Sequence, residues 1–319
     1  MSAGVPDLDP TYAAEPVPPQ GEQIQGRGPW QLAWRRLRRD KVAMVSLGVI
    51  VFIFLVAMAA PLFAHLTGHG VNTQYRDQGA LDIDGLPVGP GSRFWMGTDP
   101  LGRDVFVRIV YGARISLLVG VTATLLAVAL GVVIGIMAGY FGGIVDIVLA
   151  RLVDVVLSLP FVMVAVALVS VFSPSLMISI LVIGFFSWAS VARVIRSQVI
   201  SLKEREFVEA ARSLGASDRR IMFVDILPNV MTTVIIYASL LIPGVILTQA
   251  ALSFLGLGLQ PPDPDWGGMI SDSQNVYEQA WWYLTFPSAA LVVTTLAFNL
   301  LGDGVRDALD PRSERLLRK

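Results

Sequence analysis

The sequence predicts an all-α membrane protein with six transmembrane helices. Three observations carry that prediction. Apolar residues make up 54% of the 319 residues and charged ones only 15%, with a mean hydropathy of +0.63. A soluble globular chain carries about 25% charged residues. Several apolar runs reach the roughly 20 residues that a helix needs to cross a bilayer. Lysine and arginine, finally, fall in blocks between those runs, as they do in polytopic membrane proteins.

The spans are expected over 42–63, 115–140, 147–172, 176–194, 228–252 and 282–301. Of the 24 Lys and Arg, 19 lie in segments that share one side if the N-terminus is inside. Six precede the first span, Arg151 opens the third, seven run from Arg193 at the end of the fourth to Arg220 before the fifth, and five close the chain. The other five are Arg76, Arg93, Arg103, Arg108 and Arg114, all between the first and second spans. The positive-inside rule then puts both termini in the cytoplasm and the chain in the cell membrane as a multi-pass protein. Residues 1–29 hold six prolines and no basic residue before Arg27, which reads as a disordered cytoplasmic tail rather than a signal peptide. There is no cysteine, so disulfides, thiolate nucleophiles and Cys-type zinc sites are excluded.

The basic loop between the fourth and fifth spans carries a helix–glycine–helix pattern. Ser201-Leu202-Lys203-Glu204 has the form of a capping box. The helix it would start runs to Leu214, with Phe207, Val208, Ala211 and Leu214 on one face. Gly215 suits a left-handed stop. Ser217 and Asp218 suit the start of a second helix, and Pro228 the entry to the fifth span. Small Ala210, Ala211 and Gly215 allow close approach of a partner. Spacing alone leaves two readings open: a docking handle for a soluble partner, or an amphipathic loop on lipid headgroups.

Other features have structural readings. Gly131, Gly135 and Gly139 form a small-residue stripe for helix packing, within the chain or against a second subunit. Arg151 and Asp154 are three apart and are expected to pair near Asp146. Gln249 and Asn299 are expected to make interhelical hydrogen bonds. Residues 102–110 are expected along the membrane surface, and Trp266, Trp281 and Trp282 in the interfacial belt. Asp263 and Asp265 read as solvated turn residues. His65 and His69 are four apart, but Gly68 and Gly70 argue against a helix, and no metal site is expected. No phosphate-binding Gly-x-x-x-x-Gly-Lys loop is present, so ATP must bind elsewhere.

The stretch Glu209-Ala210-Ala211-Arg212-Ser213-Leu214-Gly215, with Ile221 and Leu227-Pro228, resembles the coupling loop of binding-protein-dependent ABC importer permeases. Four further stretches resemble the peptide/nickel branch and its C-type subunit. They are Gly97-Thr98-Asp99-Pro100-Leu101-Gly102-Arg103-Asp104, Tyr111-Gly112-Ala113-Arg114-Ile115-Ser116-Leu117, the run from Leu252 to Gly267, and Asn299-Leu300-Leu301-Gly302-Asp303-Gly304. One departure is Asp225, where the family often has His.

The resemblance implies a type I ABC importer permease fold. The first helix would lie in 30–70, an extracytoplasmic segment in 71–114, and a permease core of five helices in 115–312. The coupling loop would span 201–227 and a tail 313–319. It implies docking on an ATPase through Glu209, Ala210, Ala211, Arg212, Ser213, Leu214, Gly215 and Ile221. Gly97, Thr98, Asp99, Gly102, Arg103 and Asp104 are expected to contact an extracytoplasmic substrate-binding protein. The implied partners are a second permease in a heterodimer, two cytoplasmic ATPases that hold ATP and Mg, that binding protein, and membrane lipid. No nucleic acid and no cofactor of the chain's own are implied. The implied activity is import of di- and oligopeptides by alternating access, with no catalysis in this chain. Nickel and glutathione are the alternatives within the family. A stand-alone secondary transporter is the alternative outside it, and it would need midplane charges or two matching broken halves.

Overall fold

The computed structural model describes residues 29–310. The tails expected over 1–29 and 313–319 lie outside them, except that Pro29 begins the first helix. Helix α1 (Pro29–Arg39) is amphipathic and ends at Asp40. The Asp40 carboxylate accepts from the Val42 and Ala43 amides at 2.9 and 3.1 Å and so caps α2 (Lys41–Met58). The chain breaks at Ala59, and α3 (Ala60–Thr67) follows with a proline in its first turn. The first span is therefore shorter than the expected 42–63. Proline interrupts the backbone ladder there, and α3 is a separate element.

Helix α4 (Val105–Phe141) has 37 residues and is about 55 Å long. It begins ten residues before the expected span. The segment expected along the membrane surface is instead its first turns, where Val105, Val107, Ile109 and Val110 are all buried. Val105 and Ile109 pack there against Met269, Ala280, Trp282 and Tyr283 from the C-terminal part of the chain.

The third span is not one helix. Helices α5 (Gly143–Ser158) and α6 (Phe161–Phe172) meet at an 83° bend. The cause is Pro160, which cannot donate to the ladder and pushes Leu159 into extended backbone. Helix α7 (Leu176–Leu202) runs eight residues past its expected end.

Helix α8 (Glu206–Ser213) and α9 (Asp218–Arg220) form the elbow. Helix α9 continues through a π turn (Ile221–Ile226) into α10 (Leu227–Phe254). The wide turn lies just ahead of Pro228, whose ring would clash with the Val224 carbonyl in regular α geometry. The Asn229 side chain donates to the Asp225 carbonyl at 2.7 Å and satisfies one freed acceptor. Helices α11 (Trp266–Ser273) and α12 (Trp281–Leu309) complete the described chain. Among the described residues, five helices are long and apolar enough to cross a membrane, or six if α5–α6 counts as one span.

The glycine stripe explains the most extensive helix–helix packing among the described residues. A Cβ on Gly131 or Gly139 would lie 2.5 Å from Val191 Cβ or 2.7 Å from Val199 Cβ, and one on Gly135 2.8 Å from the Ala192 carbonyl. The stripe thus seats α4 against α7 inside this chain. Helix α5 joins them through charge. Arg196 binds both Asp146 carboxylate oxygens, one of them at 2.7 Å, and Arg193 donates to Asp154 at 2.9 Å. The expected Arg151–Asp154 contact is longer, at 3.9 Å. Gln249 bonds Ser253 and Asp265, on its own helix and the loop beyond, while Asn299 is exposed on α12. Gln249, fully buried, thus reaches the N-cap of α11 rather than another span, and Asn299 lies on an exposed face of α12.

Candidate functional site: the elbow and the opposite cap

The elbow is built on a buried root. The side chains of Val208 and Ile221 are fully buried in one cluster with Tyr140, Ile195, Val199, Met222 and Ile226. That cluster ties α8 to the ends of α4 and α7. The Tyr140 hydroxyl donates to the Asp218 carboxylate at 2.7 Å and pins the start of α9. Helix α8 ends in a Schellman motif. The Ala216 amide donates to Ala211 O and the Gly215 amide to Arg212 O, both at 3.0 Å, with Gly215 at φ +79°. The turn is therefore stiff and reports the positions of α4 and α7.

Several sequence expectations change here. The capping box does not form, because α7 extends through Ser201 and Arg205 takes the N-cap position without a side-chain bond. Ser217 occupies the next N-cap, also without one. Phe207 and Leu214 do not share the buried face. They are 40% and 88% exposed, and only Val208 and Ala211 point inward. Ile221 cannot be a docking contact, since its side chain is enclosed. Glu209, Ala210, Arg212, Ser213, Leu214 and Gly215 are exposed, as is Phe207, and Ala211 is half-buried. The elbow thus presents a small apolar knob, Phe207 and Leu214, flanked by Glu209 and Arg212. Asp225 is half-buried in the π turn.

At the other end of the helices lies the cap, residues 68–104 with α11. Gly97, Thr98, Asp99, Gly102, Arg103 and Asp104 are all buried. Their side chains are out of reach of a docking protein, which corrects the expected contact. They hold the cap together instead. Thr98 donates to Ala80 O at 2.6 Å and accepts from the Val88 amide at 2.9 Å. Asp99 accepts from the Leu101 and Arg103 amides, from Arg103 Nε at 2.6 Å, and pairs with Arg108 at 3.5 Å. Arg108 also donates to Val71 O, Asn72 Oδ1 and Pro262 O, all at 3.2 Å, and so bridges the cap to the second long loop. Trp282 donates to Thr98 O and Trp266 to Ile109 O, each at 3.1 Å. Both indoles are buried, so of the three tryptophans assigned to the interface only Trp281 is exposed.

Two residues take buried roles that their local sequence did not signal. His69 is 6% exposed, lies 2.6 Å from Asp104 Oδ2 and stacks on Phe94. Asp104 also caps α4 by accepting from the Val107 amide. No local spacing signals a pair 35 residues apart. Asp265, read as solvated, is 2% exposed. It caps α11 by accepting from the Gly268 amide, and burial raises its carboxyl above the ordinary range. Burial raises Asp272 on α11 in the same direction.

Residues 131–315 match the family described as the binding-protein-dependent transport system inner membrane component. The chain belongs to that family. Residues 28–81 match the N-terminal transmembrane domain of oligopeptide transport permease C. The chain is 40% identical over 304 residues to the dipeptide transport system permease protein DppC of Alkalihalophilus pseudofirmus, covering 95% of this chain and 97% of that one. It is 44% identical over 290 residues to the oligopeptide transport system permease protein OppC of Escherichia coli K12, covering 91% and 93%. The glutathione transport system permease protein GsiD of Shigella flexneri is 42% identical over 288 residues, covering 90% and 92%. In structure, the chain is similar to one solved as an inward-facing conformation of the MetNI methionine ABC transporter. The TM-score is 0.54 with 17% identity, covering 64% of this chain and 97% of that one, a likeness of fold. This family member is a multi-pass membrane permease component.

Proposed function

We propose that this permease forms half of the path of an ATP-driven importer for di- and oligopeptides. Near-complete alignment with relatives named for dipeptide and oligopeptide transport carries the reading. The elbow end is cytoplasmic in this proposal, as the positive-inside count argues. Two ATPases close on ATP and press on Phe207, Glu209, Ala210 and Leu214. The rooted elbow passes that motion to α4 and α7. A second, different permease completes the path, and a binding protein delivers peptide at the cap end. Coupling of this kind requires a contact that differs in strength between two states.

The test is co-purification of the tagged chain in mild detergent, paired with uptake of a labelled dipeptide in cells. Wild type is expected to bring down an ATPase, a second permease and a binding protein, and Glu209→Arg to lose the ATPase and uptake. A wild-type chain that purifies alone and moves solute without ATP would overturn the proposal. Glutathione is the competing substrate, because a relative named for it is equally similar. Excess unlabelled dipeptide should suppress labelled uptake, and excess glutathione should leave it unchanged.

A further inference from the structure

Arg114 stands apart from the other charges near the cap. Arg103 and Arg108 are buried and paired with Asp99. Arg114 is exposed, and among the described residues its one recorded partner is the Tyr111 ring, 6.0 Å from the guanidinium carbon. It is also the last charged residue before the uncharged run 115–141 of α4. That places it where the apolar slab ends, at headgroup depth.

A cleft of about 290 Å³ opens beside it between α2 and α4. Phe54, Ala57 and Met58 form one wall, and Leu117, Leu118 and Val121 the other. On α4 those positions lie three, four and seven residues after Arg114, so they share its helix face. The one hydroxyl in the cleft, on Thr122, donates to Leu118 O at 2.6 Å and leaves the lining effectively apolar. A guanidinium with no ion-pair partner among the described residues, above an apolar groove at a membrane boundary, matches the two ends of a phospholipid. Guanidinium binds phosphate through paired N–H donors, and the groove takes an acyl chain. Among the described residues no carboxylate pairs with Arg114 to cancel the charge.

We propose that the α2–α4 cleft binds one phospholipid from the leaflet on the cap side, with its phosphate on Arg114 and an acyl chain along Leu117, Leu118 and Val121. The site needs only that the chain lies in a bilayer, so it does not depend on the transported solute.

Native mass spectrometry of the whole complex, delipidated and titrated with phosphatidylglycerol, tests it. Wild type is expected to take up one phospholipid that Arg114→Gln takes up about five- to tenfold more weakly, the worth of one cation near a lipid phosphate. Arg114→Lys, which keeps the charge, should bind within about threefold of wild type. Leu118→Gln should weaken binding with the cation intact. Diacylglycerol, which lacks the phosphate, should discriminate none of the Arg114 variants, while Leu118→Gln should still weaken its binding. Equal phospholipid uptake by wild type, Arg114→Gln and Arg114→Glu would overturn the proposal. So would unchanged lipid uptake with loss of the second permease from Arg114→Glu, which would assign the arginine to an acid on that subunit.

Discussion

Gly215 shows how much one backbone angle decides. A Cβ there would meet nothing within 4 Å, so crowding is not the constraint. The φ of +79° is, because β-branched residues pay about 1–2 kcal/mol in that region while Asn tolerates it. Gly215→Val is expected to lower peptide uptake while ATPase turnover persists, and Gly215→Asn to retain most uptake. Reconstituted vesicles assayed for both would show it; full uptake by the valine variant would refute the stiff-elbow account. Asp265 makes a different prediction. Its carboxyl is raised by burial, so its contribution to stability is fully present below the unfolded value near 3.9 and is lost as pH rises through the higher folded value. Asp265→Asn keeps an oxygen for the Gly268 amide and does not ionise. Its melting temperature should therefore rise relative to wild type between pH 4 and pH 8, and a constant difference would contradict the assignment.

At the scale of elements, α4 and α7 act as one unit because glycine lets their backbones touch. Gly131→Leu would drive a side chain into Val191 and should cost about 1–3 kcal/mol, read as a lower melting temperature in detergent. Helix α5 hangs on that unit by the Asp146–Arg196 and Asp154–Arg193 pairs. The first is partly exposed, so a double-mutant cycle should return about 1 kcal/mol of coupling. The exchange Asp146→Arg with Arg196→Asp should recover part of what either single change loses; two strictly additive losses would mean the pair contributes nothing. The basic residues of this pairing were visible in the sequence only as loop charge. Their partners depend on how α5 crosses α7, which periodicity does not specify.

For the whole molecule, the two ends of the helix bundle have opposite designs. The elbow end exposes its family motif, and the cap end buries its own. Gly97 and Gly102 both adopt positive φ, and a Cβ on Gly97 would strike Trp282 at 2.5 Å. Gly97→Ala is therefore expected to reduce the amount of folded protein recovered, whether or not a binding protein is present. Recovery equal to wild type, with loss only of binding-protein docking, would restore the contact role assigned from the motif.

The long apolar runs, the elbow with its glycine stop and the family were all legible in the chain, because hydropathy, spacing and short motifs are local properties. The sequence by itself also determined that Gly131, Gly135 and Gly139 share a face. Only the tertiary structure decided which helix that face meets, since the residues it meets on α7 lie about sixty positions further along. It also decided that Ile221, Asp265, Trp266, Trp282 and six of the eight Gly97–Asp104 residues are interior. Burial is a property of what packs over a residue. For these residues the covering elements come from distant parts of the chain, and a local reading of polar or aromatic character points the wrong way.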